Sequence, residues 1–489
     1  MKKSKIVQIL STFSPEELKS FEKFAKSPFF STGRNVIPLL LILKRYYPDF
    51  KEDSISKEKI FAELFRTETF SEKKLKNLVI DLTKLADEFM ISRRTAKDTP
   101  YSERALAAEY RDRKLNKYYS ASIRMIENKI RTTHFNSNDC FTHEEEFERL
   151  NQEYYVGVNK WEKVVASKAK YAEYFMLTFI IRYLRTLREK HVAESAYNYE
   201  YSNPVLEEMD KFFNAEELID SLIKNNYEYS YMLAIYLYAY KSAHDKNGSG
   251  YYKKLKELVL ERLESFSQAE KYSLFSDMVS YCIEKDRDGK DSLLEEEFSL
   301  YKEMIKHNAY SWSDDDYMQI VTFRNIMITS LSLKEYRWLE WFTGNYTVRL
   351  KPEYRDNMRN LVLANIRYAE KEYEESLGYI SKVKYDVFLY KIDVRNLQLR
   401  LYYELDMFEP AFYSVDSYRH FLTDTTELSA YYKTQNINFL NFYNQLLKIK
   451  SGSDLGELDL IISGISSTET ISLKNWLLEK AKELIKKGA

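Results

Sequence analysis

The chain is 489 residues long, 44% hydrophobic and 30% charged, with a formal net charge of −1. That balance excludes a disordered chain and a membrane-embedded one, and the length suits a few compact domains or one extended array. Eleven glycines and eight prolines are about a third of ordinary usage, which argues against turn-rich β architectures and for helices joined by short loops. Forty-two tyrosines suit helix contacts filled by amphipathic rings whose hydroxyls reach water. Two cysteines, Cys140 and Cys282, make no disulfide framework.

At the start, MKKSKIVQIL has a basic tip, but its apolar run is too short for a secretory leader and Glu16 and Glu17 follow soon after. No leader is expected, and the expected location is cytoplasmic. SPEE at 14–17 is a capping-box signature, with Pro15 in the first helical turn. Helices are predicted near 15–26, 35–46, 57–66 and 72–92. The last carries Leu75, Leu78, Leu82, Leu85 and Phe89 as an apolar stripe. RRTAKDTPYSER at 93–104 reads as a linker, so residues 1–95 are expected to form a separate N-terminal helical domain.

Residues 1–136 hold 28 basic against 18 acidic side chains, a net of +10 that the rest of the chain offsets. Lys73, Lys74 and Lys76, with Arg93 and Arg94, flank one helix and are the candidates for phosphate contact. Docking onto an acidic protein is the competing use of the same charge.

From about residue 105 the pattern becomes long helices with few breaks, for example 113–131, 167–190 and 229–244. YSYMLAIYLYAY at 229–240 is the longest uncharged apolar run. It is far shorter than a membrane span and reads as a helix buried on all sides. Further starts are signed by NAEE at 214–217, SQAE at 267–270 and SDDD at 313–316, and by Pro352. Polar breaks fall at 245–250, 285–291 and 451–457. SLKNWLLEKAKELIKK at 472–487 sets Trp476, Leu477, Ala481, Leu484 and Ile485 on one side and lysines on the other. That is the pattern of a cap closing a stack of helices, expected over 456–489.

Within the array, KEYEESLGYI at 371–380 returns as DMFEPAFYSV at 406–415. Tyr373, Ser376, Leu377 and Ile380 correspond to Phe408, Ala411, Phe412 and Val415, 35 residues on. MRNLVLANIRYAE (358–370) and KIDVRNLQLRLYYEL (391–405) precede the two copies, and KEYRWLEWF at 334–342 reads as an earlier one. With this spacing, residues 358–422 resemble tetratricopeptide-like α-solenoids. The resemblance implies a second helix that begins on an aromatic residue, a small residue three positions on where two helices approach, and an apolar residue facing the next pair. The consensus tryptophan and proline of well-formed repeats are missing. More loosely, SPFF, RYYPDF and LNKYYSASIRMIENK look like uncharacterised helical-repeat proteins of the Bacteroidota and neighbouring phyla.

Chemistry-bearing motifs are sparse. EKDRDGKDSLLE at 284–295 places Asp286, Asp288 and Glu295 at calcium-loop positions, but it starts on Glu, lacks a sister loop and reads better as an Asp-Gly turn. HFNSNDCFTH at 134–143 holds only half of a zinc site. No phosphate-cradling glycine loop and no nucleophile elbow occurs, and Cys282 sits in an apolar stretch. The expectation is an all-α protein: an N-terminal domain, a right-handed superhelix of antiparallel helix pairs over 96–455, and a cap. Its expected role is a non-enzymatic protein- or peptide-binding scaffold without cofactor, metal or membrane. The alternative is a nucleic-acid-binding regulator. Helix position alone nominates Arg359, Asn365, Asn396 and Arg400 for a groove.

Overall fold

A computed structural model describes residues 1–30, 33–50, 55–97, 99–132, 138–196, 200–245, 248–287, 293–384, 388–425, 428, 430–452 and 458–488. Among these the protein is all-α, with 24 α-helices and no strand. Its contacts divide it into two compact units, residues 1–133 with 146–169, and residues 134–145 with 170–489.

The chain opens with α1 (Lys5–Thr12), α2 (Pro15–Ala25), α3 (Ile37–Lys44), α4 (Lys57–Leu64) and α5 (Glu72–Lys97). These share one core, in which Phe13 meets Phe21 and Phe89 edge to face and Leu75, Leu82 and Ala86 of α5 are buried. The Ser14 capping box is formed: Glu17 N–H donates to Ser14 Oγ at 3.2 Å and Ser14 N–H donates to Glu17 Oε2 at 2.7 Å. α1 was not predicted. Its apolar run is too short to read as a helix alone, yet Ile6, Val7 and Leu10 are buried in the shared core. α6 (Thr99–Asp112) and α7 (Asn116–Thr132) follow. The predicted linker is therefore largely helical, divided between the end of α5 and the start of α6.

Next come α8 (Asn138–Gly157), α9 (Trp161–Ala196), α10 (Pro204–Phe212), α11 (Ala215–Lys224), α12 (Ser230–His244), α13 (Ser249–Glu261), α14 (Gln268–Arg287) and α15 (Leu294–Lys306). α12 is the all-apolar run, and Met232, Leu233, Ala234, Ile235, Tyr236, Leu237 and Ala239 are all buried. Asn214 caps α11 as expected, its Oδ1 accepting from Glu217 N–H at 3.1 Å. The SDDD stretch starts no helix. Ser313 carbonyl accepts Asp316 N–H in a turn, and Met318 N–H donates to Arg349 carbonyl at 2.9 Å. That bond holds the following backbone extended until the next helix.

The remaining helices are α16 (Ile320–Ser332), α17 (Tyr336–Tyr346), α18 (Pro352–Ala369), α19 (Tyr373–Ile380), α20 (Phe388–Glu404), α21 (Phe408–Asp424), α22 (Ala430–Lys450), α23 (Leu458–Ser467) and α24 (Lys474–Gly488). Each helix packs on the next, and α16 on α18, α18 on α20 and α22 on α24 also touch directly. Three connections share one construction. α16–α17, α18–α19 and α20–α21 each turn through three residues, whose middle members Lys334, Lys371 and Asp406 have φ of 60°, 66° and 56°. In each, that residue's N–H and the next one's reach back to the helix: Lys371 to Tyr368 carbonyl and Glu372 to Arg367 carbonyl, at 3.1 and 2.9 Å. This is a Schellman turn, closed here without glycine. Lys114, Asn159, Asn226 and Asn308 repeat it earlier in the chain, which is how so few glycines serve so many helix ends.

α24 carries the predicted apolar side in part. Trp476, Leu477, Ala481 and Leu484 are buried, whereas Ile485 is exposed and Lys480 is buried. Lys480 leaves the polar side because Glu404 of α20 and Glu483 receive its ammonium at 2.9 and 3.0 Å.

Candidate functional site

α19 and α21 begin on the residues that open the two repeat copies. Ser376 is fully buried, and its Oγ donates to Ala364 carbonyl of α18 at 2.6 Å, so a small side chain stands where two backbones come close. Ala411 is likewise fully buried, as are Ile380 and Val415, while Tyr373, Leu377, Phe408 and Phe412 pack half-buried around the cores.

A hollow runs along α20 and α21, with a volume of about 470 Å³. From α20 it receives Lys391, Arg395, Gln398, Leu399 and Tyr402, which recur at one helical face, and from α21 Pro410, Tyr413, Ser414, Ser417 and Phe421. Among the described residues two cations and no carboxylate stand in this wall. Arg395 is held in place. Its guanidinium lies over the Tyr418 and Phe421 rings at 5.6 and 5.1 Å, and Nη1 donates to Ser417 Oγ at 3.3 Å. Tyr418 is anchored in turn, its hydroxyl donating to Asn436 Oδ1 at 3.0 Å, and burial raises its pKa. Tyr413 is 79% exposed at the rim.

The residues nominated for a groove from helix position lie elsewhere. Arg359 is exposed on α18. The Asn365 amide donates to Leu361 carbonyl of its own helix at 2.9 Å. Asn396 is buried and donates to Asn436 Oδ1 at 3.2 Å. Arg400 lies over the Tyr368 ring at 4.5 Å, where burial pulls its pKa down against the pull of Tyr368 and Glu404. The signal for Lys391, Arg395, Gln398 and Tyr402 was present as a polar and aromatic stripe at three- and four-residue steps. It could not be told from a solvated face until α21 was set beside it.

The N-terminal cations divide. Lys74 is paired with Glu68 at 2.6 Å and sits 3.8 Å over the Phe65 ring, and Arg93 is paired with Glu17. Lys73, Lys76 and Arg94 are exposed. Other cations of this segment are paired as well, as in Lys44–Glu22, Arg34–Asp81 and Arg45–Glu63, which fixes their positions and leaves the net excess unchanged. A second hollow of about 440 Å³ in this unit places Lys2 and Lys3 beside Asp49.

Of the calcium-loop positions, Asp288 and the Asp286 side chain lie outside the described residues. Glu284 is turned toward Arg188 and His191, and Glu295 is exposed on α15. His134 and the side chains of Asp139 and Cys140 also lie outside the described residues. Among the described residues no group of three or more His, Cys, Asp or Glu side chains could hold a metal ion, and no helix is long and apolar enough to cross a membrane. Burial pushes the Cys282 thiol up to about 12, so this sulfur is protonated at neutral pH and packs as a small apolar group. Compared with protein-family models, curated proteins and solved structures, the chain matches none of them.

Proposed function

We propose that the protein is a non-enzymatic scaffold that binds a protein or peptide on a tetratricopeptide-like stack of antiparallel helix pairs. The observation that carries the binding reading is the α20–α21 groove: long, open, and walled by side chains rather than by a convergent set of acid, base and nucleophile. The stacked-pair reading is supported by the Schellman turns at Lys334, Lys371 and Asp406, spaced 37 and 35 residues apart, and by the contacts of α18 with both α16 and α20. Such a stack distributes affinity over many small contacts along one surface.

The test is affinity purification of the full chain from lysate of its own cells, beside a variant with Lys391→Glu and Tyr413→Ala, with protein and nucleic acid both measured. Specific proteins are expected to stay with the unaltered chain at moderate salt and to be lost from the variant. Identical protein sets from both chains would remove the groove from the reading. Recovery of nucleic acid alone, released steeply as salt rises, would replace the scaffold with a nucleic-acid-binding regulator.

A further inference from the structure

We propose that the α20–α21 groove takes an extended acidic segment of a partner protein, with carboxylates at alternate positions seated on Lys391 and Arg395. The inference rests on the scaffold reading and narrows it to one ligand chemistry.

Lys391 and Arg395 are four residues apart on α20 and face the same hollow, so their side chains spring from points about 5–6 Å apart. An extended strand repeats a side chain on one face about every 6.7 Å, twice its rise per residue. Two acids separated by one residue therefore present their carboxylates at nearly the spacing of the two cations. A helical ligand meets the same spacing only with acids a full turn apart.

Charge fixes the sign of the ligand. Among the described residues no acidic side chain belongs to the wall, so an incoming carboxylate meets two cations there. Stacking on Tyr418 and Phe421 and the bond to Ser417 hold the Arg395 guanidinium before any ligand arrives. Part of the entropy of ordering it is thus already spent on folding, and a planar guanidinium favours a carboxylate over a point anion. Tyr413 at the rim and Gln398 and Ser414 in the wall supply a ring face and neutral hydrogen-bonding groups between the charges. These suit the backbone and the intervening side chain of an extended peptide better than a phosphate chain, which needs a cation at each repeat.

The experiment measures fluorescence anisotropy of labelled peptides with the full chain. One peptide of about ten residues carries Glu at alternate positions around a single Phe. A second replaces every Glu by Gln, and a third gathers the same Glu residues into one run. The alternating peptide is expected to bind at least about tenfold more tightly than the Gln peptide, a difference typical of charge-assisted pairs, and more tightly than the clustered one. Lys391→Glu and Tyr413→Ala are expected to weaken it, while Lys448→Glu, an exposed charge reversal on α22, leaves it unchanged. Arg395→Gln serves as a third variant, with helix content checked by circular dichroism because this side chain also packs. Equal binding of the Glu and Gln peptides, indifference to Lys391→Glu, or equal competition by an oligonucleotide of matched charge would each overturn the proposal. If the peptides fail while the Lys391→Glu, Tyr413→Ala chain still loses its cellular proteins, the acidic specificity falls and the scaffold stands. If both measurements fail, both fall.

Discussion

Trp476 gathers side chains from four helices. Its Nε1 donates to Tyr368 Oη at 2.6 Å, that hydroxyl donates to Glu404 at 3.1 Å, and the indole stacks on Tyr443 and meets Tyr403 edge to face. Lys480 completes the group through Glu404. Burial alone would lower its pKa, but the hydrogen bonds it donates to Glu404 and Glu483 more than reverse this and raise it. Trp476→Ala is expected to cost about 3–5 kcal/mol in urea unfolding, through lost contacts and a residual cavity. Lys480→Ala leaves the largely enclosed Glu404 carboxylate without its cation, with the Tyr368 hydroxyl as its remaining donor, and is expected to cost about 3–5 kcal/mol, whereas Lys480→Met combined with Glu404→Leu recovers most of that loss. The sign with pH follows from the raised ammonium pKa. The pair's contribution is complete below the ordinary lysine value of 10.5 and is lost as pH climbs through the higher folded value. Trp476 and Leu477 were legible as the apolar side of a terminal helix. The inward turn of Lys480 was not, because its partner lies on α20 and periodicity within one helix carries no information about another.

At the scale of elements, the three-residue connections within α16–α21 are the most regular feature. A side chain with positive φ costs about 1–2 kcal/mol that glycine escapes. Part of that gain is returned through the greater freedom of glycine in the unfolded chain. Lys371→Gly is therefore expected to raise stability by about 0.5–1 kcal/mol, and Lys371→Val to lower it, both read from the urea midpoint. Ser376→Leu, at the contact with Ala364, is expected to cost about 1–3 kcal/mol by overpacking. Ser14→Ala removes half of the α2 capping box and is expected to cost about 1 kcal/mol. The starts of α19 and α21 were readable because an aromatic residue and a small one recur at fixed offsets. Lysine and aspartate at the turns hid the helix ends from a search for glycine. SDDD misled for a related reason: local capping chemistry was present, but the long-range bond from Met318 to Arg349 took the backbone elsewhere.

For the molecule as a whole, tyrosine sets the alkaline limit. Burial, helped by neighbouring carboxylates and other tyrosine hydroxyls, raises the pKa of Tyr236, Tyr301 and Tyr443 well above the phenolic value of 10. The unfolded chain releases those protons near pH 10 and the folded chain cannot, so stability is full below that pH and falls above it. On alkaline titration tyrosinate absorbance is expected to rise first as exposed rings such as Tyr413 ionise with the helix intact, and then again together with loss of helix as the buried rings ionise. Ionisation of all the tyrosines with the helix intact would contradict the burial. All-helical character and the abundance of aromatic helix contacts followed from composition. Which tyrosines are enclosed did not, since ring content sets the supply and only the packing of neighbouring helices allocates it.

α20 serves two cores with opposite faces. Val394, Leu397 and Leu401 join the cluster that extends back to Phe141 of α8, while Leu399 and Tyr403 join the one containing α22 and α24, and Tyr443 Oη donates to Leu399 carbonyl at 2.6 Å. For anyone cutting the chain into pieces, the usual choice of a loop as the boundary fails here. A fragment that stops at Glu404 would carry Leu399 and Tyr403 bare to water and should self-associate, and one that starts after it would lack a wall of its own interior. Only fragments that keep α20 on both sides of the cut, by duplicating it, would leave each half closed.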